Sequence, residues 1–304
     1  MTGVRARLSR QHLIRTLGLW GATALVGLFV LGPILWMVDS SLQGENELLS
    51  RPSHILPVNP SFDNYNYIFT GEIPRSFAVR GAIRSRISQE ARQIPQALEN
   101  SVIVALGVTL INLLLGSLAA YSFARIRFRG KGLTFNFLLG SRLLPAMAIA
   151  IPYYTIINGL GQLDTYTALI VVYLTFTLPF TVWFLREYFL LLPKETEDAA
   201  LIDGCNRFQT LVHIVLPLAA PAMVAAGAFA FMASYNEFLF ALLLTQTINS
   251  QTLPVIIASV AVNPDASFAL ISVSVVLAMV PPLLFAIGIR RYLTRGLVGA
   301  IGHA

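Results

Sequence analysis

The 304-residue chain is long enough for two ordinary soluble domains, but its composition excludes them. Hydrophobic residues make up 56% of the sequence and charged residues only 12%, about half the charged share of a typical soluble protein. So few charges cannot cover a water-facing surface, and the composition therefore indicates an integral membrane protein. The single cysteine, Cys205, excludes an internal disulfide framework and a cysteine-based zinc site.

Apolar runs predict six membrane spans, because a helix needs roughly 20 residues to cross the hydrocarbon core. The runs cover residues 17–37, 101–124, 133–158, 165–185, 214–244 and 266–289. Two of them contain one charge each, Arg142 in the third and Glu237 in the fifth. The apolar run 253–262 is too short to cross and is expected to form a folded or re-entrant loop. The predicted fold is an all-α membrane protein with six transmembrane helices.

Basic residues in the short loops predict the orientation of the spans, since Lys and Arg accumulate on the cytoplasmic side. The loops after the second and fourth spans are basic, whereas the short loops 159–164 and 245–265 contain neither Lys nor Arg. Residues 1–16 and 293–304 are therefore expected to be cytoplasmic segments that flank a six-span domain over 17–292. The net charge of +6 follows from this topology and does not indicate nucleic-acid binding.

The loop 39–100 is predicted to be external although it is rich in arginine. Charge predicts orientation poorly in loops of about this length. Within the segment 71–95, arginines alternate with apolar side chains. Two interpretations stay open: a solvated helix that caps the spans, or a basic amphipathic helix that lies on the outer headgroups or meets an external partner.

The chain offers few groups for catalysis or for holding a nucleotide. Its four histidines lie in separate terminal and loop segments, so the sequence shows no metal cluster and no histidine-based triad. It contains no G-x-x-x-x-G-K-[ST] phosphate loop and no series of intramembrane carboxylates such as a proton-coupled carrier would use. A transporter that takes its energy from another subunit is therefore favoured over an enzyme.

The loop between the fourth and fifth spans, residues 193–217, predicts a short helix with a defined end. Acidic residues fill its first turn, where they complement the partial positive charge of a helix N-terminus. Gly204 lies where a C′ residue would adopt a left-handed conformation and end the helix. A second short helix is expected to run toward Pro217, which would open the fifth span. Ala199 and Ala200 would leave a face on which another protein packs closely.

This loop resembles the E-A-A-x3-G-x9-I-x-L-P loop of the permease subunits of ABC importers. The matching residues, at the family's spacing, are Ala199, Ala200, Gly204, Ile214, Leu216 and Pro217. The family's usual Glu is Asp198 here, preceded by Glu197. Further stretches are similar to the second permease of maltose-type carbohydrate importers: Asn100-Ser101, residues 116–121, the basic turn 125–132, residues 160–166 and Tyr235-Asn236-Glu237-Phe238.

The resemblance implies a type I ABC importer permease in the bacterial inner membrane. Its complex would contain a second permease, two ATPase subunits and an external solute-binding protein that delivers a sugar. ATP and Mg²⁺ would bind to the ATPase subunits, with no cofactor, metal or catalytic residue on this chain. The loop 193–217 would couple to the ATPase through Glu197, Asp198, Ala199, Ala200, Asp203, Gly204, Ile214, Leu216 and Pro217.

Four residues are candidates for the substrate path: Tyr235, Asn236, Glu237 and Arg142. Sugar sites combine aromatic faces with hydrogen-bonding side chains, and these residues supply both. A structural role for Glu237 stays open, as do substrate contacts that lie mainly on the other permease. An ABC importer for a non-sugar solute and a stand-alone secondary transporter are the alternative functions.

Small residues recur every four positions in the fifth span, at Ala222, Ala226, Ala230 and Ser234. Small side chains let helix backbones approach closely inside a membrane. This stripe fits the second permease and a neighbouring span of the same chain equally well.

Overall fold

The computed structural model describes residues 2–50, 56–72, 90–262 and 267–301, and every regular element in these ranges is helical. Four helices are long and apolar enough to cross a membrane, and two bent helix pairs bring the number of spans to six if each pair is one span. The continuous spans, numbered one, two, four and six, are Thr16–Ser41, Ile94–Arg125, Tyr166–Leu191 and Phe268–Arg290. The predicted all-α class is confirmed.

The helices extend beyond the apolar runs. Span one is the last part of a helix that begins at Thr2, and span six is the first part of a helix that continues to Ile301. Span two begins at Ile94 rather than at residue 101, with a proline in its first turn, where the missing N–H leaves no helical hydrogen bond unmade. Most of the arginine-rich segment predicted over 71–95 lies outside the described residues, at 73–89.

The chain forms two compact units, Met1–Arg92 with Val260–Leu277, and Gln93–Ser259 with Ala278–Ala304. In the first unit, short helices at Glu45–Leu48 and Asp63–Thr70 follow span one. The Glu45 carboxylate accepts hydrogen bonds from the Ser267 hydroxyl at 2.6 Å and from the backbone N–H groups of the next two residues. Glu45 thereby caps the first turn of span six.

Spans two and four form the centre of the second unit, and span five packs against both. A Cβ at Gly116 would lie 2.6 Å from Cγ2 of Thr181, so spans two and four approach closely at this point. The small-residue stripe of span five, Ala222, Ala226, Ala230 and Ser234, is buried within this chain. The structure therefore supports the intrachain interpretation of the stripe.

Span three is a bent pair, Lys131–Leu143 and Ala146–Gly159, whose two helices meet at 99°. Pro145 explains the bend, because the residue before a proline is restricted to extended conformations. Leu144 accordingly has ψ of 124°, and the helix restarts after the proline.

Span five is also bent, with 83° between Arg207–Leu218 and Ala220–Tyr235. A further short helix, Leu239–Leu244, follows after a break. The prediction of one span over 214–244 is therefore wrong in its bounds. Pro217 does not open the span but lies before the bend, and Pro221 occupies the first turn of the Ala220–Tyr235 helix.

The apolar run 253–262 forms the helix Leu253–Val262, which is too short to be a span, as expected. Leu253, Val255 and Ile256 are buried, so the helix contributes to the interior of the chain. The Ser101 hydroxyl accepts a hydrogen bond from the backbone N–H of Leu253 at 2.7 Å and fixes the start of this helix on span two.

Candidate functional site

The segment between spans four and five contains a short helix, Lys194–Ile202, which we call the loop helix. Glu195 and Glu197 lie in its first turn, as the charge pattern predicted. The helix ends at Gly204, which has φ of +92°, a left-handed conformation that favours glycine. A Cβ at Gly204 would meet no atom within 4 Å, so only the backbone conformation requires glycine here.

A second short helix follows, as predicted, and its start is fixed by reciprocal side-chain bonds. The Asn206 side-chain oxygen Oδ1 accepts from the backbone N–H of Gln209 at 2.9 Å, and the Gln209 side-chain oxygen Oε1 accepts from the backbone N–H of Asn206 at 2.8 Å. This capping box begins the helix Arg207–Thr210. The chain continues helically through Leu211–Val215 and Leu216–Leu218 to the bend of span five.

The predicted coupling residues divide between two faces of this segment. Exposed residues are Asp198, Ala199, Asp203, Gly204 and Pro217; half-buried residues are Ile214 and Leu216; buried residues are Glu197 and Ala200. The exposed set provides a surface that a partner can contact. The expected roles of Glu197 and Ala200 are corrected, because both side chains pack inside this chain.

Glu197 belongs to a buried ion pair with Arg125, the last residue of span two. Arg125 Nε donates to Glu197 Oε1 at 2.7 Å, and each side chain is only 4% exposed. The Tyr121 hydroxyl donates to the other carboxylate oxygen at 3.2 Å, and Arg125 Nη2 donates to the carbonyl oxygen of Leu192 at 3.0 Å. We call these four residues the Glu197 site.

The sequence contained a signal for this burial. Glu197 and Ala200 are three positions apart and therefore share one face of the loop helix, whereas Asp198 and Ala199 project elsewhere. The partner of Glu197 carried no comparable signal. Arg125 is one of several basic residues in the turn 125–132, which indicates the topology and the family resemblance but not a pairing with Glu197.

A second polar cluster lies at the opposite end of the same unit and is centred on Asp164. Its carboxylate accepts hydrogen bonds from the backbone N–H groups of Gln246 and Thr247 at 2.9 and 3.0 Å, and from the hydroxyls of Thr247 and Ser250 at 2.5 Å each. Although partial burial opposes the shift, these bonds lower the pKa of Asp164 to about 2. We call these four residues the Asp164 site.

Asn100 holds the same loop from the start of span two. Its amide nitrogen donates to the carbonyl oxygens of Ile248 and Gln251 at 2.8 and 2.9 Å. The Tyr166 hydroxyl donates to the side-chain oxygen Oδ1 of Asn100 at 2.6 Å. Two of the stretches that carry the family resemblance, Asn100-Ser101 and residues 160–166, therefore lie at this cluster.

Arg142 lies in a short 3-10 turn at the bend of span three. Its guanidinium carbon is 5.3 Å from the ring centroid of Phe180 in span four and 5.8 Å from that of Phe229 in span five. Both distances are within the range of cation–π attraction. Arg142 itself is exposed, so this charge and two half-buried rings form an accessible group at the bend.

The other three path candidates lie at the break of span five, between the helices Ala220–Tyr235 and Leu239–Leu244. Tyr235 is buried and donates its hydroxyl to the carbonyl oxygen of Ala278 at 2.9 Å, so it packs against span six, which corrects its expected place in the path. The Glu237 carboxylate accepts from the N–H groups of Phe240 and Ala241 and caps the Leu239–Leu244 helix. This contact supports the structural alternative for Glu237.

Asn236 is the remaining candidate in the break of span five, and its side chain is exposed. Its amide donates to the carbonyl oxygen of Met232 at 2.9 Å.

Among the residues that the structure describes, no group of three or more His, Cys, Asp or Glu side chains is arranged to hold a metal ion.

Residues 86–299 match the family described as the binding-protein-dependent transport system inner membrane component. The chain is 32% identical to the trehalose/maltose transport system permease protein MalG of Thermococcus litoralis, over 95% of this chain and 97% of the relative. It is 31% identical to the trehalose transport system permease protein SugB of Mycobacterium tuberculosis, over 92% of this chain and 94% of the relative.

Solved structures show the same fold. A bacterial ABC transporter involved in the import of the acidic polysaccharide alginate has a chain that matches with a TM-score of 0.72 at 19% identity, covering 91% of this chain and 96% of that one. The alginate transporter in complex with its pentasaccharide-bound periplasmic protein matches with a TM-score of 0.65 at 13% identity, covering 95% and 96%. The chain therefore belongs to the binding-protein-dependent inner-membrane permeases of ABC importers.

Proposed function

We propose that this chain is one of two different permease subunits in an ATP-driven sugar importer. The second permease completes the path, an external solute-binding protein delivers the sugar, and two ATPase subunits bind ATP and Mg²⁺. The chain itself is non-catalytic and holds no cofactor, and both of its termini are cytoplasmic. The names of its trehalose and maltose relatives support a mono- or oligosaccharide as the substrate.

The loop helix is the observation that carries this proposal. It is short, it ends at a left-handed glycine, and it exposes Asp198, Ala199 and Asp203 on one segment. A helix with fixed ends moves as a unit when a partner contacts it. The exposed face therefore fits a cleft of an ATPase subunit, and the movement of that subunit would displace the loop helix.

The bend of span three supports a role in the path. Charged side chains inside a membrane are costly, by about 2.5–3.5 kcal/mol on insertion scales, and mark functional positions. Arg142 supplies hydrogen-bond donors for sugar hydroxyls, and Phe180 and Phe229 supply ring faces. Asn236 adds an exposed amide in the break of span five. We retain Arg142 and Asn236 as path residues, with Tyr235 and Glu237 holding the surrounding helices.

The test uses the complete complex, purified and reconstituted in liposomes with its binding protein. Trehalose or maltose bound to the binding protein is expected to stimulate ATP hydrolysis and sugar uptake. Ala199→Trp places a bulky ring on the exposed face of the loop helix and should release the ATPase during purification. Leu49→Trp, at an exposed apolar position in the predicted external loop, is the matched control and should retain it.

Three results would contradict the proposal. Uptake by the chain alone, without an ATPase, would identify a stand-alone secondary transporter. Stimulation by a binding protein loaded with an amino acid or phosphate, but not with sugars, would identify an importer for a non-sugar solute. If the Ala199→Trp variant retained the ATPase, the exposed face of the loop helix would not be the surface that contacts the ATPase.

A further inference from the structure

The Glu197 site joins three separate elements through two charged side chains. Arg125 ends span two, Glu197 lies in the loop helix, and the carbonyl oxygen of Leu192 lies just beyond the end of span four. Arg125 and Glu197 are 72 positions apart in the sequence, so this contact is a tertiary one. The loop helix is therefore attached to span two as well as to the two spans that it follows and precedes.

Burial makes this attachment hard to break. A charge inside a protein is costly unless it is paired and hydrogen-bonded. Separation of the loop helix from span two would leave Arg125 and Glu197 each without the opposite charge in a dry site, which is strongly unfavourable. The lowest-energy movement of the loop helix is consequently one in which the end of span two moves with it.

Stability alone is a poor reason for such a pair. Well-packed apolar residues of similar volume usually stabilise a protein as well as a buried ion pair does. Arg125 also keeps one buried nitrogen, Nη1, without a hydrogen-bond partner among the described residues. The pair therefore stabilises the fold no better than apolar packing would, but it fixes the loop helix to span two at one defined position.

Span two reaches from this site to the loop at the other end of the unit. Asn100 and Ser101 in its early turns bond to residues 248–253, and Tyr121 and Arg125 in its last turns bond to Glu197. At 1.5 Å per residue, about 37 Å of continuous helix separates Asn100 from Arg125. A displacement of one end of this helix is thus carried to the other.

We propose that Glu197 is a positioning residue of the transport cycle. Its ion pair with Arg125 makes span two move with the loop helix, so that displacement by the ATPase reaches the loop 245–252 at the far end. This inference rests on the proposed function. It assigns Glu197 a role inside the permease, distinct from the contact with the ATPase that its place in the sequence suggested.

The test compares Glu197→Gln with wild type in the reconstituted complex. The variant should co-purify with the ATPase at the wild-type ratio, because Glu197 is buried away from the exposed face of the loop helix. The amount of sugar taken up per ATP hydrolysed should fall about fivefold or more, the lower end of typical coupling between two sites. Glu197→Asp keeps the charge on a shorter side chain and should recover part of the loss.

Glu187→Gln is the control for loss of an acid paired with an arginine, at a side chain that is 49% exposed rather than buried. Glu187 pairs with its neighbour Arg186 in the same helix, so this pair joins no separate elements. Uptake per ATP should remain at the wild-type value in this variant. An equal fall in both variants would assign the effect to loss of charge in general and overturn the inference.

A double variant, Arg125→Met with Glu197→Gln, keeps the inference testable where Glu197→Gln fails to assemble. It leaves no unpaired buried charge and is therefore expected to assemble normally, yet uptake per ATP should stay low. Wild-type uptake per ATP in this variant would show that apolar packing alone transmits the movement, and the inference would be wrong. Absence of ATP-driven uptake in the wild-type complex would instead contradict the proposed function.

Discussion

Two carboxylates hold the opposite ends of the second unit, and they are stabilised in different ways. Glu197 is almost fully buried and is paired with a cation, Arg125. Asp164 is half-buried and has only neutral donors around it, two backbone N–H groups and two hydroxyls. Both sites bind one segment of the chain to another that is distant in sequence.

Burial explains the difference. A carboxylate in a dry site needs an opposite charge, whereas one at the surface is sufficiently stabilised by water and several hydrogen bonds. The Glu197 site therefore resists separation in any direction. The Asp164 site depends on the conformation of two loops, because its donors converge only when residues 246–250 are folded as observed.

Among the variants that test this difference between the two sites, Asp164→Ala is expected to lower the free energy of unfolding most. The substitution removes all four hydrogen bonds to the carboxylate, and alanine adopts the left-handed conformation at φ of +61° less readily than aspartate does. Because the net values of such bonds do not add, we expect the free energy of unfolding to fall by about 3 kcal/mol. Asp164→Asn keeps one acceptor oxygen and tolerates this conformation, and should cost about 1 kcal/mol. Thermal unfolding of the purified complex measures both.

The pH dependence checks that the ionised carboxylate is responsible. The pKa of Asp164 is about 2 in the folded chain and near 3.8 in the unfolded chain. Between these values the unfolded chain binds more protons, so the contribution of Asp164 is fully present above about pH 5 and is lost progressively as the pH falls through the unfolded pKa toward 2. The stability difference between wild type and Asp164→Asn should follow this course. A difference that already shrinks between pH 7 and 5 would contradict it.

A smaller loss of stability is expected from Gly116→Ala. This variant tests whether the Glu197 site and the Asp164 site depend on the close packing of spans two and four between them. Its Cβ would lie 2.6 Å from Cγ2 of Thr181, and this β-branched side chain has little freedom to move. Spans two and four would have to separate, at a cost of about 2 kcal/mol. The melting temperature of the complex should fall, and uptake per ATP should fall with it if span two acts between the two sites.

Gly132→Ala is the matched control for this helix position. Gly132 also lies in a helix, Lys131–Gly140, but a Cβ there would meet no atom within 4 Å. Alanine should therefore leave stability unchanged or raise it by up to about 1 kcal/mol through its higher helix propensity. Equal losses at positions 116 and 132 would show that close approach of spans two and four is not the cause.

The parts of the molecule that local sequence determines were predictable. The four continuous spans coincide with predicted apolar runs, and the end of the loop helix follows from Gly204, since few other residues adopt its conformation. The bend of span three also had a local signal in Pro145, which the continuous apolar run around it concealed. The apolar runs and Gly204 predict the first two features without any knowledge of tertiary contacts, whereas the bend of span three was not predicted.

The parts that depend on distant contacts were not predictable. Nothing in the local sequence pairs Arg125 with Glu197, or directs the Tyr235 hydroxyl to span six rather than to a path. Local sequence also does not decide between the two roles left open for Glu237, which caps the Leu239–Leu244 helix, and it gives no signal that Glu45 caps the start of span six. Polar residues inside a membrane chain are few, and sequence patterns assign them a function by default. Their structural roles, such as capping a helix, are therefore the ones that sequence predicts least well.

The smallest effect is expected from Gly204→Ala, which changes the loop helix without touching the ion pair. A Cβ at this position meets no neighbour, so the cost is conformational only, about 1 kcal/mol. Gly204→Asn should cost less, because asparagine adopts the left-handed conformation more readily. Both variants keep Glu197 against Arg125, so uptake per ATP should fall less than in Glu197→Gln. A larger fall in Gly204→Ala would mean that the end of the loop helix, rather than its attachment to span two, transmits the movement.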